Sequence, residues 1–204
     1  MSRYTGPRRK IIRALGIELP GLTRHTLEGR DYPPGQHGSR LNKRKSNFGQ
    51  QLVEKQKLRF NYGLGESQLR RLMLEARSAK GPSGDKLIEL LERRLDNIIF
   101  RAGFAPTIAA ARQLVSHRHI QVNGKRVNIP SFRVKIGDVI APLEKSRNHP
   151  VIRMSLPEPA LSRPEWLAWD NAAERVTVTY LPGGDAVPFP IELQKVIEYY
   201  SNRI

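Results

Sequence analysis

Between Leu87 and Val127 the spacing of apolar residues changes twice, and few folds accommodate both changes in so short a stretch. Leu87, Leu91, Leu95, Ile98 and Ala102 form one helical stripe, which Gly103 ends and Pro106 prevents from continuing. Thr107 is placed to cap a second helix, with Ile108, Ala111, Leu114 and Val115 as its buried face. The period then drops to two. Ile120 and Val122 lead into Asn123-Gly124, the pair that a type I′ hairpin prefers, and Val127 lies on the return strand. After a turn at Pro130-Ser131, Val134, Ile136, Val139 and Ile140 predict further strand. The expectation is a compact α-α-β module over residues 91–140.

The flanks have a different character. Residues 1–47 are rich in Gly, Pro, Arg and Lys, and read as a basic N-terminal arm with one short helix ending near Gly16, around Ile11, Ile12, Leu15 and Ile17. Tyr32–Arg40 cannot be helical, because Pro33 and Pro34 fix φ while Gly35 and Gly38 invite tight turns. From about Gly49 a helix places Leu52, Val53, Gln56 and Phe60 on one side and is broken at Asn61–Gly65. Ser67 then caps a helix carrying Leu69, Leu72, Met73 and Ala76. Gly81–Gly84 ends it, and Asp85 caps the next. Residues 141–175 are punctuated by Pro142, Pro150, Pro157, Pro159 and Pro164 and read as a surface connection. Arg175–Leu181 alternates as a strand, and Pro190 opens a last helix with Val196, Ile197 and Tyr200 for packing. The tail is expected to fold back on residues 48–85. The fold class is therefore α+β: residues 48–90 and 141–204 form a mainly helical domain around the inserted module, and the arm precedes it.

Charge says what such a fold binds. Lys and Arg number 35 against 19 Asp and Glu, a net charge of +16. The excess is +8 over residues 1–45 and +6 over 91–140, whereas residues 141–204 carry −1. A surplus placed in this way favours a polyanion, since each neutralised phosphate releases condensed counterions. No apolar run approaches the ~18 residues of a membrane span. Met1–Lys10 lacks the apolar stretch of a secretory signal, so no membrane association and an intracellular location are expected.

Nothing in the chain reads as catalytic. Gly124-Lys125 is preceded five positions back by His119 rather than Gly, so it is no phosphate-binding loop, and Gly63-Leu64-Gly65 is not completed as a dinucleotide fingerprint. G-x-S-x-G and H-E-x-x-H are absent, and with no Cys there is neither a thiolate nucleophile nor a thiolate metal site. Glu89, Glu92 and Asp96 lie among Arg93, Arg94 and Arg101, where ion pairing explains them. His117 and His119 fall on different faces of a helix, which fits phosphate or base contact better than a metal. No cofactor is expected.

The basic clusters Arg8-Arg9-Lys10-Arg13 and Lys43-Arg44-Lys45 sit in segments too poor in apolar residues for packing to explain them; a localisation signal is the rival reading. Arg112 lies in an otherwise apolar helix, where it either presents its guanidinium to a ligand or forms an internal salt bridge. Tyr4, Tyr32 and His37 interleave with cations, as base-stacking residues do, or pack locally.

These residues carry a resemblance. Arg94-Leu95-Asp96-Asn97, Ala111-Arg112-Gln113-Leu114-Val115 and His119–Gly124 resemble the S-four RNA-binding domain. The opening Ser2–Lys10, Tyr32–Gly38, Leu52–Gly63 and the closing Ile197–Ser201 are similar, in the right order, to the bacterial-type small-subunit ribosomal protein S-four family. The resemblance implies a structural, non-catalytic protein of the small ribosomal subunit: a primary binder of the 16S rRNA 5′-domain junction, beside ribosomal protein S-five and near mRNA where it enters the subunit. It implies a cytoplasmic ribosome, or a plastid one if organelle-encoded. Its alternative is an RNA-modifying enzyme carrying the same module. By similarity Arg3 to Arg13, Tyr32 to Arg40 (with Gln36, His37 and Arg40), and Arg94, Arg101, Arg112, His117, Lys125 and Arg126 would face RNA. Lys43, Arg44 and Lys45 of the arm, Lys55, Lys57, Arg59, Arg70 and Arg71 of the helical layer, and Thr107, Gln113, Arg118 and Asn123 of the module, complete the candidate set. Many members hold zinc through four Cys in the arm. Here Arg9 and Ile12 stand near the first pair, which implies a zinc-free arm. Reversing Arg94 or Arg112 to Glu is expected to weaken RNA binding and spare the fold.

Overall fold

A computed structural model describes residues 4–40 and 45–201. The architecture is α+β. Helix α1 (Arg8–Leu15) in the arm is followed by α2 (Asn47–Asn61), α3 (Glu66–Ser78), α4 (Ser83–Glu92), α5 (Leu95–Arg101) and α6 (Ile108–Ser116). Strands β1 (Ile120–Val122), β2 (Lys125–Arg126) and β3 (Val139–Pro142) come next, then α7 (Pro150–Ser155), β4 (Leu167–Asp170), β5 (Arg175–Val178) and α8 (Leu193–Ser201).

Local signals set several ends. Gly16 closes α1 in the left-handed conformation, and Ser46 caps α2 by accepting from the Gly49 amide at 3.2 Å. Thr107 caps α6 in the same way, from Ala110 at 3.3 Å. Asn123 and Gly124 take φ of 50° and 74°, and the hairpin they close pairs Val122 with Lys125. Helix α3 starts one residue before the expected cap: Gly65 stands at the N-cap, and its amide is satisfied by Gln68 Oε1 at 3.1 Å. In α2 the buried face is Glu54, Lys55, Leu58 and Asn61 rather than the expected Leu52, Val53, Gln56 and Phe60. Both charged members of that face are ion-paired there, Lys55 with Glu66 and Glu54 with Lys57.

The expected stripe from Leu87 to Ala102 is two helices. Arg94 is extended (ψ 136°) and stands between α4 and α5. The cause is the loop after the hairpin, which splices into the gap: the amide of Val134 donates to Arg93 O (3.0 Å), while the amides of Leu95 and Asp96 donate to Phe132 O (2.9 Å) and Pro130 O (3.0 Å). Leu87, Leu91, Leu95 and Ile98 stay buried across the break because the chain turns about the same core.

The sheet is antiparallel throughout, in the order β2-β1-β3-β5-β4. Val139 pairs with Thr177 and Ile140 with Val176, so the sheet runs past residue 140 into the tail. The end of the tail folds on the early helices as expected: α8 packs against α2 and α4, and the turn at Gly184–Ala186 packs against α4. The Pro-punctuated stretch also contains α7 and β4. Leu167 and Trp169 alternate with exposed Ala168 along β4, a period-two signal too short to stand out among prolines.

Candidate nucleic-acid interface

The arm, the end of α2 and the start of α6 meet at Gly21. Its amide donates to Asn61 Oδ1 (2.9 Å), and its carbonyl accepts from the Ile108 amide (2.9 Å). A Cβ here would lie 2.6 Å from Asn61 O, so only glycine permits the approach. Above this point opens a cleft of ≈ 1220 Å³, walled by the arm on one side and α6 on the other. Seven of the expected site residues line it: Tyr4, Arg8, Arg59, Thr107, Arg112, Gln113 and His117. Asn61, Ser116 and Asn128 line it too and carried no sequence signal. They arrive there through tertiary closure alone.

Three of the cations expected to face RNA from the module, Arg94, Arg101 and Arg112, are used inside the protein. Asp96 is fully buried, and its Oδ1 and Oδ2 accept from Arg94 Nε (3.0 Å) and Nη2 (2.8 Å). Arg112 bonds the same carboxylate through Nε (3.1 Å) and Nη2 (2.7 Å). Its Nη1 and Nη2 also donate to Gly63 O (2.8 Å) and Tyr62 O (3.2 Å), which ties α6 to the turn after α2. Of the two readings of Arg112, the structure displays the internal salt bridge. Arg101 is buried beside Glu92 and donates to Ala186 O (3.0 Å). Glu92 also accepts from Asn97 Nδ2 (2.9 Å) and from the Tyr62 hydroxyl. Burial pushes the Glu92 carboxyl up despite Arg101, and it pushes the Tyr62 phenol well up with the help of Glu92.

Arg94, Arg101 and Arg112 are thus bonded within the fold, and the expectation that reversing Arg94 or Arg112 spares the fold is corrected. A reversed charge would stand unpaired beside a buried carboxylate. Lys55 is likewise buried against Glu66 (2.7 Å), and Lys57 bonds Glu54 (2.6 Å) and Pro190 O (3.3 Å). Thr107 is a helix cap, and Asn123 closes the hairpin by bonding Asp138 Oδ1 (2.7 Å) and the Val139 amide (2.8 Å).

The exposed cations lie elsewhere. Arg9, Lys10 and Arg13 surround a second concavity of ≈ 520 Å³ together with Arg30, which the sequence reading did not single out. Arg13 lies over the Tyr32 ring at 4.8 Å and donates to Tyr32 O (3.0 Å), so these two pack on each other. Gln36 and His37 are exposed in the turn that follows, where a Cβ on Gly38 would lie 1.8 Å from Pro33 O. Lys45 is exposed at the end of the arm, Arg70 and Arg71 on the helical layer, and Arg118, Lys125 and Arg126 at the hairpin. Arg3, Lys43 and Arg44 lie outside the described residues, as does the side chain of Arg40.

Arg118 occupies the left-handed position after α6 (φ 65°), with its amide and that of His119 bonded back to Val115 O (2.9 Å) and Leu114 O (3.0 Å). That position favours glycine, and a side chain there is strained. His119 packs on His149 with ring centroids 4.7 Å apart, and burial, then His149, hold its pKa below the usual value. Among the described residues no group of three or more His, Cys, Asp or Glu is arranged to hold a metal, and no helix is long and apolar enough to cross a membrane. Arg9 and Ile12, in a chain without Cys, do not fit the zinc that the resemblance attaches to many arms.

Comparison with known proteins covers the whole chain. Residues 3–92 match the family model described as Ribosomal protein S4/S9 N-terminal domain, and residues 93–140 match the S4 domain. The sequence is 59% identical to small ribosomal subunit protein uS4 of Methylobacillus flagellatus and 60% identical to uS4B of Nitrosomonas europaea, over 100% of each chain. It is 47% identical to uS4 of a Synechococcus strain, again over 100% of both.

Proposed function

This chain belongs to the small ribosomal subunit protein uS4 family, and from that premise we propose that it binds the 16S rRNA 5′-domain junction early in subunit assembly. Its coarser role follows from membership: it is a structural, RNA-binding component of the small ribosomal subunit and not an enzyme. The alternative of an RNA-modifying enzyme is thereby corrected. The place of action is the ribosome, which is cytoplasmic in bacteria.

The carrying observation is the full-length match to the uS4 relatives; the two family models adjoin at residues 92 and 93, at a buried network in which Asn97 bonds both Glu92 and Asp96 and Asp96 pairs with Arg94. In the proposed mechanism this rigid joint fixes the angle between helical layer and module. The exposed cations of the arm and the hairpin then neutralise phosphates of RNA helices that converge on it. A position beside ribosomal protein S-five, near mRNA where it enters the subunit, belongs to the same proposal.

The test is binding of the full chain to a transcribed 16S 5′-domain fragment against a scrambled-junction control, across a salt series. With about six to ten phosphates contacted, affinity falls about 10³–10⁵-fold between about 50 and 200 mM salt. A preference for the native junction that persists at the upper salt supports a shape-specific assembly protein. Equal binding to both RNAs overturns it.

A further inference from the structure

The cleft above Gly21 holds more than cations. Its three arginines each place at least one donor on an acceptor within the protein, while Arg59 Nε is buried without a partner. Arg8 Nη1 donates to Leu22 O (3.2 Å), Arg59 Nη1 to Gln56 Oε1 (3.3 Å), and Arg112 to Asp96, Gly63 and Tyr62. Other lining groups are of a different kind. Tyr4 is 44% exposed and stands edge-on to Phe60, with ring centroids 5.4 Å apart. Gln113 and Asn128 present exposed amides to the same space.

The wall also contains an unspent donor. Asn61 is 1% exposed and uses Oδ1 on the Gly21 amide, while its Nδ2 has no hydrogen-bond partner. A buried donor left without an acceptor is unfavourable and rare in folded proteins. The amide cannot simply be turned round, because the Gly21 N–H needs the oxygen. The site is therefore built with an aromatic face, neutral amides and a donor that lacks an acceptor. Those are the groups that stack on a base and bond its edge.

We propose that this cleft takes one unpaired RNA base, drawn out of its strand, with a carbonyl oxygen or ring nitrogen directed at Asn61 Nδ2. Tyr4 supplies the stacking face, and Gln113 and Asn128 bond the remaining edge. The inference rests on the RNA-binding reading above and deepens it. The exposed cations of arm and hairpin give affinity, and the cleft gives selectivity for a junction able to present a base at that point.

The experiment uses the full chain and a set of junction RNAs, each with an abasic residue at one unpaired position. Base stacking and edge contact predict one position at which removing the base weakens binding about 10- to 100-fold, with the salt dependence unchanged. The Tyr4→Ala and Gln113→Ala chains, both altered at exposed residues, lose affinity for intact RNA but become insensitive to that abasic position. If no abasic position matters while the native junction is still preferred over a scrambled one, the base site is overturned and the RNA reading stands. If the two variants reduce the salt slope instead, the cleft holds phosphate and the proposal is again overturned. Failure of the intact native junction to outcompete the scrambled one is a different result, which removes the RNA reading itself.

Discussion

Arg112 Nη2 and Arg94 Nη2 converge on a single oxygen of Asp96, at 2.7 and 2.8 Å. One residue comes from α6 and the other from the break between α4 and α5, so one buried carboxylate sets the distance between elements that form the module. Its neighbour Glu92 does the same for Tyr62 and Arg101.

Asp96→Ala leaves two guanidinium groups facing a space with no anion. Loss of one partner from a buried charge pair costs about 3–5 kcal/mol. Urea unfolding of the variant is expected to show a loss of that size, with Arg112→Glu at least as damaging. A loss under about 1 kcal/mol would show that the network carries little of the stability.

Tyr62→Phe removes the hydroxyl donor from Glu92, and leaving a buried acceptor short costs about 1–3 kcal/mol. The raised pKa of Glu92 gives the pH sign. Its contribution to stability is fully present below the ordinary glutamate pKa and is lost as pH rises through the folded value. The Tyr62→Phe defect is therefore expected to be larger at neutral than at acid pH, which denaturation at both values measures.

Glu75 shows the opposite sign. Its bond to Arg133 chiefly holds its pKa below the usual glutamate value, so the stability it contributes is present above that ordinary value and lost as pH falls through the lowered one. Carboxyl NMR should find Glu75 titrating below the usual glutamate range, and Arg133→Met should move it back toward that range. Both partners are partly exposed, so the pair contributes at most about 1 kcal/mol.

Arg118→Gly separates stability from binding. Glycine relieves the left-handed strain, and a gain of about 1 kcal/mol is expected in thermal unfolding. Loss of one phosphate contact should at the same time reduce the slope of log affinity against log salt by about 0.7–0.9. An unchanged slope would show that Arg118 does not touch RNA.

The sequence displayed several features that are decided within a few residues. The Thr107 cap and the Asn123-Gly124 hairpin are such features. The α4–α5 break was hidden because the residues that cause it, Pro130, Phe132 and Val134, lie far along the chain from Arg94. The fate of Arg94 was hidden for the same reason. Two residues apart on a helix, Arg94 and Asp96 would not face each other, and they do so only because Arg94 is extended. The positive charge counted along the module thus overstated how much of it is free, since pairing depends on partners that only the folded chain brings near.

The continuity of β3 with β5 has a consequence for synthesis. A chain emerges from its N-terminus, and domains fold as units once their parts are available. Here β3 stays an open edge until Val178 has been made, and α2 lacks its cover until α8 follows. The cations of the arm precede both in the chain and are made well before either layer is closed. A nascent chain cut short before β5 would therefore display its polyanion-binding segment on an unfinished body, with a bare strand edge open to pairing with another chain.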